Sequence, residues 1–240
     1  MNSRTENKVK DVAISNPAAR QAVEDPGVHN CCGEGKSVHE ACLHSDVSAE
    51  QILARLRENG KNVNPGAKDF ATAPLNELTR YIREKHHSYV REAITRIQSL
   101  LIKVTAVYAK NHIELAAIHN HFSEVAREMI QHMQKEEMIL FPYIDALEKA
   151  ANGNGALETP FFQTVRNPIH AMMKDHDAAE DRMKQIRKAS SDYTAPGNAC
   201  TSYKALYQEL NAFEADLHQH VHLENNILFP RAVELEAAAN

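Results

Sequence analysis

Two stretches of the sequence carry the same six residues in register: His132, Glu136, Ile139, Leu140, Phe141 and Pro142, and, 88 positions later, His220, Glu224, Ile227, Leu228, Phe229 and Pro230. A His and a Glu four apart share one face of a helix, so each pair presents an imidazole and a carboxylate to the same partner. Ile139 and Tyr143 are expected to continue the first stripe, and Ile227 the second. A further histidine precedes each copy, His87 by 45 residues and His176 by 44. His87 shares a face with Val90, Ile94 and Leu101, and His176 lies in the line Ile169, Met172, Met173, Met183 and Ile186, so both point to the apolar seam. His86 competes with His87 for that place. Burying four imidazoles and two carboxylates without partners would cost roughly 1–3 kcal/mol per unsatisfied group. A metal supplies the partner. Nitrogen-rich sites with bridging carboxylates suit iron, with manganese or zinc as weaker fits. Two His per metal and two shared Glu leave open coordination positions, which means small ligands or reactivity.

The elements that must hold these groups are helices. The chain has 240 residues, only eight Gly and nine Pro, and no Trp. Its long runs of Ala, Glu, Leu, Lys, Gln and Met favour helix, and nothing alternates at period two for long enough to form a sheet. Four long helical patterns are predicted, over about 75–108, 113–151, 159–189 and 199–238, joined by short connections. That arrangement is an all-α, up-down four-helix bundle. The bundle is built from two hairpins, each bearing His on its first helix and H-x-x-x-E on its second, related by a pseudo-twofold axis. Pro142 and Pro230 lack a backbone donor and are expected to kink their helices. His218 and His222 fall about 200° around the helix from His220 and are expected to face outward, while His112, His119, His121 and His170 lie off the face or turns away.

Residues 1–60 read as a small helical N-terminal domain, 61–74 as a polar linker with Gly and Pro, and 75–240 as the bundle. The small domain contains the turn Asn30-Cys31-Cys32-Gly33-Glu34-Gly35-Lys36-Ser37. Vicinal Cys31 and Cys32 cannot bridge each other without strain. Lys36, near the next helix start, would favour a thiolate at either. They are therefore candidates for redox, nitrosyl or metal handling, with Cys42 a third participant, whereas Cys200 is expected to pack near the start of the fourth helix. The turn is not a phosphate loop, because Asn30 stands where the first Gly belongs and no strand precedes it.

Composition excludes several classes. The formal net charge is −5, which argues against a nucleic-acid partner. Every apolar stretch is interrupted by Lys, His, Asn or Glu before it could span a membrane. The basic N-terminus has no apolar core of a secretory signal, so the cytoplasm is the expected compartment.

The turn at Cys31-Cys32-Gly33-Glu34-Gly35-Lys36, the downstream Ala41-Cys42 and the duplicated H-x-x-x-E together resemble the repair-of-iron-centres (RIC) family, and the last 165 residues or so resemble hemerythrin-like domains. The family's usual turn is similar to C-C-G-G-K, and here Glu34 is inserted. The resemblance implies a four-helix bundle with a non-haem di-iron centre, two oxo- or hydroxo-bridged iron ions, with His87, His132, His176 and His220 as terminal ligands and Glu136 and Glu224 bridging. It also implies repair of iron–sulphur clusters damaged by nitric oxide or peroxide. The clients would be damaged iron–sulphur proteins, with nitric oxide or dioxygen as small ligands and the chain a monomer or homodimer. A carrier or sensor of dioxygen or nitric oxide, without turnover, is the rival reading, and a thiol-dependent interaction module on an inert bundle is another.

Overall fold

The computed structural model describes residues 70–153 and 158–239. Compact packing divides the chain between Ala73 and Pro74, and the second unit, Pro74–Asn240, contains the four long helices. Residues 1–60, most of the linker, and with them Cys31, Cys32, Lys36 and Cys42, lie outside the described residues.

The first long helix comprises α1 (Leu75–Tyr81), a π-helical turn (Ile82–His87) and α2 (Ser88–Tyr108). The second comprises α3 (Glu114–Lys135), a π turn (Glu136–Leu140) and α4 (Phe141–Ala151). The third is α5 (Arg166–Ala189), and the fourth comprises α6 (Thr201–Leu223), a π turn (Glu224–Leu228) and α7 (Phe229–Ala239). The described residues contain no strand. α3 packs most extensively on α5 and α2 on α6, with α2–α3 and α5–α6 contacts completing the ring, so the fold is the expected up-down bundle.

The core follows from apolar spacing. Val90, Ala93, Ile94, Ile97, Leu101 and Val104 of α2 meet Leu115, Ile118, Phe122, Val125 and Met129 of α3, Met183 and Ile186 of α5, and Leu206, Leu210, Phe213 and Leu217 of α6. Helix ends are closed by side chains. The Glu148 carboxylate accepts from the backbone N–H groups of Leu75 (2.6 Å) and Asn76 (3.0 Å) at the start of α1, satisfying donors that a helix N-terminus leaves open. At the far end of α5, Ser191, Asp192 and Tyr193 are all left-handed, with φ of 50°, 57° and 56°. Strain in such a run persists only where the surroundings over-determine it. Here Arg187 holds Asp192 at 2.9 Å, and the Tyr193 hydroxyl donates to the buried Glu214 at 2.6 Å.

Three expectations change. The third helix starts at Arg166, not near Thr159, because Gln163 is left-handed (φ 70°). The chain there is tied by Glu236, which accepts from Tyr143 Oη, Thr164 Oγ1 and the Val165 N–H. The proline kinks take the form of π turns. Pro142 and Pro230 stand just past the π turns Glu136–Leu140 and Glu224–Leu228, where the missing N–H lets the hydrogen-bond ladder slip by one residue. That slip moves the stripe beyond Glu136: Ile139 is exposed and Tyr143 half-buried, and Leu140, Phe141, Ile144 and Leu147 are buried in their stead.

Candidate metal centre

The π turns fall at one level of the bundle and set the polar groups there. His87 is the last residue of the first π turn, and Glu136 and Glu224 are the first residues of the other two. His132 and His220 lie one turn earlier on α3 and α6, and His176 comes from the unbroken α5. All six side chains are fully buried. Such π turns occur often at functional sites because they re-aim a residue without ending the helix.

The six residues form two four-membered groups, each with donor atoms within 4.8 Å of one another: His87, Glu136, His220 and Glu224, and His132, Glu136, His176 and Glu224. Both carboxylates belong to both groups. Glu136 Oε2 lies 3.4 Å from His87 Nε2 and 3.3 Å from His132 Nε2. Glu224 lies 2.9 Å from His220 Nε2 and 3.0 Å from His176 Nε2. Within each group the two imidazoles face each other through Nε2, 3.3 Å apart for His87 and His220 and 3.1 Å for His176 and His132. Each group therefore takes one histidine from each hairpin, a cross-pairing that the repeat alone does not disclose.

The donor set fits a pair of cations. Neither oxygen of Glu136 forms a hydrogen bond, and Glu224 Oε2 is likewise without one, although all are buried. A buried carboxylate oxygen left in that state is costly, and two divalent ions shared by two carboxylates and four imidazoles would remove the cost. Non-haem iron suits this nitrogen and oxygen set.

Electrostatics favour the charged carboxylates. Burial pushes the Glu224 carboxyl up, but the charge of His220 and its hydrogen bond to Oε1, with the facing imidazoles of His132 and His176, outweigh it and hold Glu224 well below the usual range. Burial and the neighbouring Glu224 raise Glu136, and His132 and His87 bring it below the ordinary value. For His132, burial favours the neutral ring, yet Glu136, Asp175 and Glu224 lift it well above its ordinary value. His220 is raised in the same way, chiefly by Glu224 against its burial.

Outer partners orient the rings. His87 Nδ1 meets Glu137 at 2.7 Å, and Arg91 holds that carboxylate at 2.9 Å. His176 Nδ1 meets Asn225 at 3.0 Å and His132 Nδ1 meets Asp175 at 3.4 Å. Asp175 is held down to about 2, first by its hydrogen bond with His132 and against partial burial. Phe141 stacks on His87 and Phe229 on His176, with interplanar angles of 15° and 5°. Those Phe, Glu137 and Asn225 were missed in the sequence, although the repeated Ile-Leu-Phe-Pro was the signal. His86 is also buried, but its Nδ1 turns to Asp216 at 3.0 Å and it belongs to neither group. His218 and His222 are half-buried and outside both groups, and Cys200 is exposed.

Residues 78–232 match the hemerythrin HHE cation binding domain. The iron-sulfur cluster repair protein YtfE of Citrobacter koseri is 31% identical over 223 residues, covering 93% of this chain and 94% of that protein. Its namesake from Musicola paradisiaca is 30% identical over 232 residues, 97% and 98% of the two chains, and that of Pectobacterium atrosepticum is 30% identical over 223 residues, 93% and 95%.

Proposed function

The chain belongs to the hemerythrin HHE cation-binding family and, within it, to the iron–sulphur cluster repair proteins, and from that premise we propose that it repairs iron–sulphur clusters damaged by nitrosative or oxidative stress. The observation that carries the reading is the pair of buried four-residue groups sharing Glu136 and Glu224. His87 and His220 would hold one iron and His132 and His176 the other, with Glu136 and Glu224 available to both. When bound, the iron pair supplies open coordination positions for nitric oxide or dioxygen and an ion that can be transferred to a damaged cluster. The residues around it keep the rings aligned through Glu137, Asp175 and Asn225, and Phe141 and Phe229 exclude water from two of them. No helix among the described residues is long and apolar enough to cross a membrane. A cytoplasmic setting with damaged iron–sulphur proteins as clients is consistent with that, as a monomer or homodimer.

Cys31 and Cys32 are assigned the second half of the task, accepting nitrosyl groups or contacting the client, with thiolate character promoted by Lys36. A simple carrier of dioxygen or nitric oxide needs no such thiols. The test is recovery of a nitric-oxide-inactivated iron–sulphur enzyme at equal iron loading. A chain with both Cys31→Ser and Cys32→Ser should keep its two irons and restore the client more slowly. Equal recovery by the double variant would remove the cysteine turn from the function, and no recovery by the wild-type chain would leave the carrier reading in its place.

A further inference from the structure

The two halves of the bundle repeat the candidate ligands but not what stands behind them. His87 and His176 are equivalent in the repeat, and so are the residues that back them, Glu137 and Asn225, each next in sequence to a shared carboxylate. One is an anion and the other a neutral amide. The residue one helical turn after each of these histidines differs as well, Arg91 on α2 and the buried Glu180 on α5. The cation accompanies the anion, and the second half keeps neither.

His87 Nδ1 lies 2.7 Å from Glu137 Oε1, closer than His176 is to Asn225 (3.0 Å) or His132 to Asp175 (3.4 Å). A carboxylate only accepts, so the proton of the neutral His87 ring sits on Nδ1 and Nε2 keeps its lone pair. That Nε2 faces Glu136 Oε2 at 3.4 Å, and the oxygen forms no hydrogen bond. The ring is thus set in the form that binds a cation. Asn225 settles its partner less firmly, because one rotatable amide carries both an acceptor and donors. What keeps Glu137 in place is Arg91, whose Nη2 spans both carboxylate oxygens at 2.9 Å each. The Glu137 side chain is 24% exposed and that of Arg91 40%, so without the cation the carboxylate has solvent to turn to.

We propose that Arg91 is a positioning residue for the iron centre: by pinning Glu137 it holds His87 in its metal-binding tautomer, and it makes the grip on iron sensitive to salt at the surface. The inference rests on the di-iron reading above and adds to it a residue that touches neither ion. A carboxylate behind a metal-bound histidine fixes its ring and raises its basicity, and loss of such a partner typically costs about 10–100-fold in affinity. Arg91 supplies a part of that effect, about two- to fivefold, the worth of a half-exposed ion pair. Dissolved salt screens such a pair, whereas it reaches the buried ligands far less.

The test is loss of iron from the fully loaded, full-length protein to an excess of a ferrous chelator, followed optically and without any client. Arg91→Met should speed the release about two- to fivefold and Glu137→Gln about tenfold or more, while Arg91→Lys should restore most of the wild-type rate. Because Arg91 acts through Glu137, adding Arg91→Met to Glu137→Gln should change nothing further, whereas a merely structural role would add its own effect. Raising the salt should speed release from the wild type and leave Glu137→Gln nearly unmoved. Should Arg91→Met fall short of wild-type helicity, that salt comparison decides in its place, and equal salt dependence of the two chains overturns the proposal. Unchanged release from a folded Arg91→Met chain, or the same acceleration by it in the Glu137→Gln background, overturns it too. A wild-type chain that binds fewer than two irons before any chelator is added would instead overturn the di-iron reading, so the two failures are distinct.

Discussion

Removing a shared carboxylate should empty both metal positions, whereas removing one histidine should empty only one. Each proposed position has four protein donors, two imidazoles of its own and both carboxylates in common. Glu136→Ala takes one donor from each position, and His87→Ala takes one donor from a single position. Loss of a group merely behind a ligand costs about 10–100-fold in affinity, so the loss of a ligand itself exceeds roughly 1.4–2.8 kcal/mol at each position it serves. After dialysis against a chelator of intermediate strength, metal analysis should find about one iron in His87→Ala and close to none in Glu136→Ala, with the wild-type content kept in His218→Ala and His222→Ala. Equal iron in Glu136→Ala and His87→Ala would refute the bridging assignment.

Other outcomes follow from the same geometry. The folded pKa of His132 is raised, so its contribution to metal-free stability is full below the unfolded value of about 6.5 and is lost as pH rises through the folded value; thermal melts of the apoprotein should fall on the alkaline side while iron affinity, which needs neutral rings, climbs. An apoprotein whose stability does not decline there would contradict this. Glu236 accepts from Tyr143, Thr164 and the Val165 amide, and although burial raises its carboxyl these bonds hold it below the ordinary value. Glu236→Gln should lower stability by about 1–3 kcal/mol at pH 7, with the gap between variant and wild type shrinking as pH falls below about 4; a gap independent of pH would remove the carboxylate charge from the account. A chain beginning at Pro74 retains the Glu148 cap on α1 and should fold and bind two irons, measured by circular dichroism and metal analysis; an unfolded product would make the small domain part of the core.

The duplicated H-x-x-x-E, with a histidine 44 or 45 residues before each copy, was enough to bring His87, His132, Glu136, His176, His220 and Glu224 together, because four-residue spacing in an α-helix is geometry rather than preference. The positions beyond Glu136 were not legible by that rule. A π turn inserts one residue into the ladder, so a reading at 3.6 residues per turn aims Ile139 and Tyr143 inward where the chain buries Leu140 and Ile144. His86 competes with His87 in the sequence for the same reason, since both are buried in a π turn and contacts across to α6 are what separate them. The late start of the third helix depends on Glu236, some 70 residues away, and no local pattern reports a long-range acceptor.

Because three of the four long helices change their winding at the metal level, that level is also a mechanical joint. On one side lies the long apolar core of α2, α3, α5 and α6. On the other, α1, α4 and α7 pack on one another as a shorter block, with Leu78, Ile144 and Ala232 buried within it. Between the two runs a polar seam of four imidazoles and two carboxylates. Ions filling the seam would rivet one block to the other, and under the proposed iron delivery the cargo would also be the fastener. Withdrawing an ion should then loosen that joint, and amide exchange in α1, α4 and α7 should quicken as iron is removed, while that in the long core stays slow.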